Sequence, residues 1–139
     1  LTYLLDSNVC IRLINNTSSA VITRLAYQQP EDILISTITQ LELYYGAYRS
    51  AQQERNLAIL QRFFSQFAII PLDAEAAKIA GKIRAELAAS GTPIGPYDLQ
   101  IAAITMANNL ILVTHNTKEF SRVNGLQIED WEAETEGSI

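Results

Sequence analysis

Three carboxylates of this chain are embedded in apolar sequence. Asp6 follows Leu4-Leu5, Glu42 lies within Leu41-Glu42-Leu43-Tyr44-Tyr45, and Asp98 lies within Ile94-Gly95-Pro96-Tyr97-Asp98-Leu99-Gln100-Ile101. Thr114 and Asn116 close the apolar run Leu110-Ile111-Leu112-Val113, and Glu119 follows about one helical turn later. Singly, each has an ordinary reading. Asp6 suits a helix cap, Glu42 a solvated helix face, Asp98 the first turn of a helix, Asn116 a turn, and Glu119 a surface helix. Gathered at one place they would repel one another unless a divalent cation neutralised them. Oxygen-only donors favour Mg²⁺ or Mn²⁺, and no Cys/His cluster points to zinc. A cation held by a few carboxylates, with positions left for water, supports phosphoryl chemistry. It activates a water and steadies charge on the leaving oxygen.

Whether these residues meet depends on the elements that carry them. Tyr3-Leu4-Leu5, Ile33-Leu34-Ile35, Phe67-Ala68-Ile69-Ile70, Leu110-Ile111-Leu112-Val113 and Leu126-Gln127-Ile128 are each of strand length. They read as strands buried on both faces, as in a parallel sheet. Helical patterns lie between them, at about 9–15, 37–49 after the cap candidate Ser36, 53–66, 74–89 after Asp73, 97–108 after Gly95-Pro96, and 118–123. Strands alternating with helices predict an α/β domain with right-handed crossovers. Ligands of such sheets bind beyond the carboxyl ends of the strands, where the winding reverses. Asp6 ends the first strand, and Thr114-His115-Asn116 ends the fourth.

The order Leu-Leu-Asp-Ser-Asn, Gln-Leu-Glu-Leu-Tyr-Tyr-Gly, Pro-Tyr-Asp-Leu-Gln-Ile-Ala and Leu-Val-Thr-His-Asn-Thr-Lys-Glu-Phe resembles the PIN-domain proteins. Within them it is similar to the VapC toxins of bacterial type II toxin–antitoxin systems. The similarity runs from about Tyr3 to Trp131. It implies a three-layer α/β/α fold with a central, mostly parallel sheet of about five strands, and a Mg²⁺- or Mn²⁺-dependent endoribonuclease. The family's acids fall on Asp6, Glu42 and Asp98. Its fourth position, often Asp, falls on Asn116, which offers a neutral oxygen; Glu119 could supply the missing charge. Thr114 matches the hydroxyl residue beside the site. The implied reaction is in-line attack of an activated water on a phosphodiester. Asp6 and Asp98 would be the principal metal ligands, with Glu42 and Asn116 completing the set. Ser7, Asn8, Glu119, Lys118 and Arg122 are candidates for neighbouring or substrate contacts. The resemblance also implies an RNA substrate, a homodimer and a VapB-like antitoxin that blocks the site.

The alternative is a PIN-like binding module without catalysis, which Asn116 makes conceivable and the retained acids oppose. A dehalogenase-like phosphoryl acceptor would want a second Asp at position 8, where this chain has Asn8. A response-regulator receiver would want a strand-end lysine after Val113. His115, the single histidine, reads as a loop residue near the substrate path rather than a general base.

Length and composition agree with this reading. The 139 residues, 48% hydrophobic, suit one domain, placed at 1–131 with an acidic tail at 132–139. One cysteine, Cys10, allows no internal disulfide and reads as a core residue. No apolar run approaches the roughly 20 residues of a membrane span, and no signal peptide is evident, so a cytoplasmic location is expected. The net charge of −5 at first argues against nucleic acid. Five of the fifteen acids, however, follow Ile128, and the body balances at ten acids against ten bases. Setting aside Asp6, Glu42, Asp98 and Glu119 leaves six acids against ten bases, a mildly basic surface on which Lys118 and Arg122 could meet phosphate.

Overall fold

The structure is a computed structural model and describes residues 2–133. In chain order it runs β1 (Tyr3–Leu5), α1 (Ser7–Asn15), α2 (Ser19–Ala26), β2 (Ile33–Ser36), α3 (Thr37–Arg49), α4 (Gln53–Phe64) and β3 (Ala68–Ile70). It continues with α5 (Ala74–Ala89), α6 (Pro96–Ala107), β4 (Ile111–Val113), α7 (Thr117–Phe120) and β5 (Ile128–Glu129). All five strands are parallel, in the order β3-β2-β1-β4-β5. The winding therefore goes outward from β1 through β2 and β3, then restarts on the other side of β1 with β4. That reversal is the switch point at which parallel sheets bind ligands.

Register separates the two faces. Tyr3 pairs with Ile33 and Ile111, and Leu5 with Ile35 and Val113; their side chains join Val9, Leu43, Phe63, Phe64 and Trp131 in one core. Leu4, between them, packs with Leu112, Ile83, Leu87, Ile101 and Phe120 in the other. Successive strand residues point to opposite faces, so a strand buried on both sides must be apolar throughout. Helices over both faces complete the three layers.

The helix starts follow local chemistry. Ser36 Oγ accepts from Thr39 N at 3.1 Å, and Asp73 Oδ1 accepts from Ala76 N at 2.9 Å, so both expected caps form. Cys10 is a free, fully buried thiol. Phe63 and Phe64 are core residues, with Phe67 packed against Phe63 at 5.1 Å between ring centroids.

Three segments differ from the sequence reading. α2 has no counterpart there. Its signal is Ser18, whose Oγ caps Val21 N at 3.3 Å, followed by Val21 and Leu25 four residues apart. α7 ends at Phe120 rather than Val123, because the i→i−3 bonds Arg122 N→Glu119 O and Val123 N→Phe120 O turn the chain early. Arg122 thus lies beyond the helix that was to align it with Lys118. The acids after Ile128 are also engaged. Glu129 meets Arg24 at 3.2 Å, Asp130 meets His115 at 3.0 Å, and Glu132 meets Arg12 Nε at 2.8 Å. Trp131, 2% exposed, sits edge-on to Tyr3 and under the Arg24 guanidinium. The tail expected from 132 onward therefore begins as an anchored segment, and the rest of it, 134–139, lies outside the described residues.

Candidate active site

Asp6 stands at the switch point. Its backbone N–H still bonds Val113 O at 3.1 Å, so the chain leaves β1 attached to β4 before α1 begins at Ser7. The side chain is buried, at 4% exposure, and its two oxygens have separate partners. Oδ1 accepts from Val9 N at 3.0 Å, which caps α1; Oδ2 accepts from Thr114 Oγ1 at 2.6 Å. The cap thus forms on one oxygen while Thr114 holds the other, and each oxygen keeps further acceptor capacity. Burial raises the Asp6 carboxyl pKa; the bonds from Thr114, Val9 and Asn8 oppose that rise, and the negative charge of Glu42 adds to it.

Glu42 reaches the same edge from α3. The second strand ends at Ser36, and its cap bond starts α3 directly at the sheet edge, which places Glu42 beside α1. There Ser7 Oγ donates to Glu42 Oε1 at 2.7 Å.

Asp98 comes from the first turn of α6, which Pro96 opens at a position where the missing N–H has no cost. Its pKa is pushed up to about 6, first by desolvation, then by the negative charges of Glu119, Asp6 and Glu42, and by contact with Glu119. The four acids are therefore close enough to feel one another. Glu119 moves the other way. Gly95 N donates to its Oε1 at 2.9 Å and Asn116 Nδ2 to its Oε2 at 2.8 Å, which hold its pKa low, with a smaller lowering from Arg122. Asp98 Oδ2 and Glu119 Oε1 converge over Gly95, at 3.7 and 3.9 Å from where a Cβ would stand. Asp98 is thus held up and Glu119 held down at the same spot.

Thr114 joins the halves. Its buried hydroxyl donates to Asp6 and accepts from Asn116 N at 3.0 Å. The Asn116 amide nitrogen is engaged by Glu119, which leaves its Oδ1 as the free acceptor.

Of the other sequence candidates, Ser7 belongs to the site and Asn8 is exposed. Lys118 is exposed, with no ion pair among the described residues. Arg122 bonds Pro93 O at 3.0 Å, so the two do not form one helical phosphate-binding face. His115 turns toward the C-terminal segment, where its ring and the acids of Asp130 and Glu132 offer ligand atoms within 4.8 Å of one another. Arg12 already neutralises Glu132 there. Ser36 was expected only as a helix cap and Thr39 was not singled out in the sequence; both are buried hydroxyls touching this network, and nothing local marks them beyond the cap.

The chemistry of the donors suits a hard divalent cation, which would draw the carboxylates closer together than the metal-free geometry holds them. The set consists of oxygens only, and desolvation, with the neighbouring carboxylates adding to it, drives Asp98 to keep its proton at mildly acidic pH. Asp6, Asp98 and Glu42 offer charged oxygens, and Asn116 a neutral one.

Comparisons with known proteins agree with this fold. The profile of the family described as "PIN domain" matches residues 3–126. A Shigella flexneri protein named tRNA(fMet)-specific endonuclease VapC is 46% identical over 131 residues, covering 94% of this chain and 98% of the relative. A chain of the DNA-bound VapBC structure from Salmonella typhimurium superposes with a TM-score of 0.89 at 44% identity, covering 94% of this chain and 98% of that one. The VapBC-1 structure from nontypeable Haemophilus influenzae gives a TM-score of 0.87 at 32% identity, covering 94% and 98%.

Proposed function

This chain belongs to the PIN-domain family, among proteins of the VapC type, and from that premise we propose that it is a metal-dependent endoribonuclease, the toxin of a VapBC-type toxin–antitoxin pair. The observation that carries the reading is the convergence of Asp6, Glu42, Asp98 and Glu119 on one sheet edge, with Asp98 raised to about 6 by desolvation and by the charges of the others.

Asp6 and Asp98 would hold Mg²⁺ or Mn²⁺, with Glu42 and the Asn116 amide oxygen completing the set. The cation, when bound, supplies charge for the phosphodiester oxygens and acidifies a water. The chain's own residues do the rest. Thr114 holds Asp6 Oδ2 in place at 2.6 Å, and Ser7 holds Glu42 Oε1 at 2.7 Å. Glu42 keeps its other oxygen to accept a proton. Glu119 holds the Gly95 N–H and the Asn116 amide, fixing the loop before α6 against the end of β4.

We take the RNA to be tRNA(fMet), the substrate in the name of the Shigella relative, and the partner to be a VapB-like antitoxin; a homodimer is part of the same proposal. No described helix is long and apolar enough to cross a membrane. The test is incubation of the purified full chain with tRNA(fMet) and with unrelated tRNAs, in Mg²⁺, in Mn²⁺ and in EDTA, followed by mapping of the new RNA ends. Specific, EDTA-sensitive cleavage is expected. Folded protein that cuts no RNA in either metal would favour the binding-module alternative.

A further inference from the structure

We propose that Thr39 is a positioning residue for Glu42, acting through Ser7, and that the hydroxyls of Ser36, Thr39 and Ser7 form a directed relay onto that carboxylate. The inference rests on the reading of Glu42 as part of the metal site.

The relay's direction follows from counting protons. Ser7 Oγ lies 2.7 Å from Glu42 Oε1 and 3.0 Å from Thr39 Oγ1. A hydroxyl has one proton to donate, and an ionised carboxylate can only accept. The Ser7 proton therefore goes to Glu42, and Ser7 must accept from Thr39. With its proton committed to Ser7, Thr39 can only accept from Ser36, whose Oγ lies 3.4 Å away. Ser36 Oγ in turn accepts from Thr39 N at 3.1 Å, which closes the chain on the first turn of α3.

Burial makes this arrangement consequential. Ser36 and Thr39 are both 0% exposed, so water does not satisfy their hydroxyls and each depends on its protein partner. Chained donors also polarise one another, which strengthens the last bond, the one onto the carboxylate. Without the Thr39 hydroxyl, the Ser7 proton is free to turn to other acceptors. Serine near a helix start has such alternatives in nearby backbone groups. Glu42 is long and three χ angles must be ordered to aim it, so losing its fixed donor loosens the carboxylate at the metal edge.

Full-length Thr39→Val, Thr39→Ser, Ser7→Ala, the Ser7→Ala/Thr39→Val double variant and Glu42→Gln decide the matter. Each is titrated with Mn²⁺ by calorimetry, melted in EDTA, and assayed for kcat and KM on tRNA. Thr39→Val should weaken Mn²⁺ binding and lower kcat by up to about tenfold, the lower end of the loss when a metal ligand's direct partner is removed, with KM unchanged. Thr39→Ser should restore both. In the Ser7→Ala background, Thr39→Val should cost no further Mn²⁺ affinity, because the link to Glu42 is already gone. A change in melting temperature alone, with parental Mn²⁺ affinity and kcat, would make Thr39 merely structural and overturn the relay. So would an equal loss from Thr39→Val with and without Ser7. If Glu42→Gln itself binds Mn²⁺ and cleaves like the parent, the reading of the site fails and the relay falls with it. Should Thr39→Val fold too poorly to assay, Thr39→Cys, similar in size and a weaker donor, is read against the same outcomes.

Discussion

The Thr114 hydroxyl donates to Oδ2 of Asp6 at 2.6 Å, between residues 108 apart in the chain. They meet because Leu5 pairs with Val113, so that each stands one residue beyond its strand at the point where the winding reverses. The bond holds one oxygen of a buried carboxylate while the helix start holds the other, and Asp6 has no room to turn away from the sheet edge.

Asp6→Asn separates the two duties of that side chain. Asn caps a helix about as well as Asp, so α1 and the fold should survive. The lost charge should weaken Mn²⁺ binding by at least about tenfold, the scale typical of losing even an outer partner of a metal ligand. Calorimetric titration at neutral pH checks this, with Asn8→Ala as the control, since Asn8 is exposed. Ser7→Ala does not serve as a control because Ser7 holds Glu42. Parental Mn²⁺ affinity in Asp6→Asn would leave Asp6 as a cap and nothing more.

The metal-free protein should lose stability as pH rises from about 4 to about 7 at the site acids. Asp98 has a pKa of about 6 in the fold against an ordinary 3.8, so the folded chain binds this proton more tightly than the unfolded chain. Its stabilising contribution is full below the unfolded value and is lost as pH rises through the folded one. Asp6 acts in the same sense, and Glu119 opposes it only below its ordinary 4.5. In EDTA, Asp98→Asn should flatten the fall in melting temperature between about pH 5 and 7. With Mn²⁺ the slope should reverse, because the ligands must be deprotonated to bind, and a hundredfold excess over Kd should add about 2.7 kcal/mol.

Asn116→Asp restores a common family residue but should not be silent. The Asn116 amide donates to Glu119 Oε2 at 2.8 Å, and an Asp there sets carboxylate against carboxylate. The melting temperature in EDTA should fall and recover on adding Mn²⁺, and Glu119→Gln should relieve the loss without metal. Equal EDTA melting temperatures for Asn116→Asp and the parent would mean that the Asn116–Glu119 bond carries no weight in solution.

Trp131→Ala tests the anchored C-terminal segment. The indole is 2% exposed, edge-on to Tyr3 at 5.3 Å and beneath Arg24 at 5.4 Å. Its removal should cost about 3–5 kcal/mol by chemical denaturation, as for other buried aromatic truncations. A loss within the surface range of about 0.5 kcal/mol would place Trp131 outside the cooperative fold.

What the chain declares locally was legible before the fold was known. The alternation of apolar runs with helical patterns, the caps at Ser36 and Asp73, and the short motifs around Asp6, Glu42, Asp98 and Asn116 are each read from residues within a few positions of one another. Helix capping and strand patterning are short-range effects and leave short-range marks. α2 left such a mark too, in Ser18, Val21 and Leu25. The tertiary structure decided the rest. The bonds Ser7–Glu42 and Thr114–Asp6 span 35 and 108 residues, and they exist only because the strands lie in the order β3-β2-β1-β4-β5. The same order turns His115 toward Asp130 rather than toward the acids, and it makes anchored counterions of Glu129 and Glu132. Nothing in the residues beside Thr39 indicates that its hydroxyl points across to α1. That contact is settled by how two helices leave neighbouring strands, a relationship that local sequence does not encode.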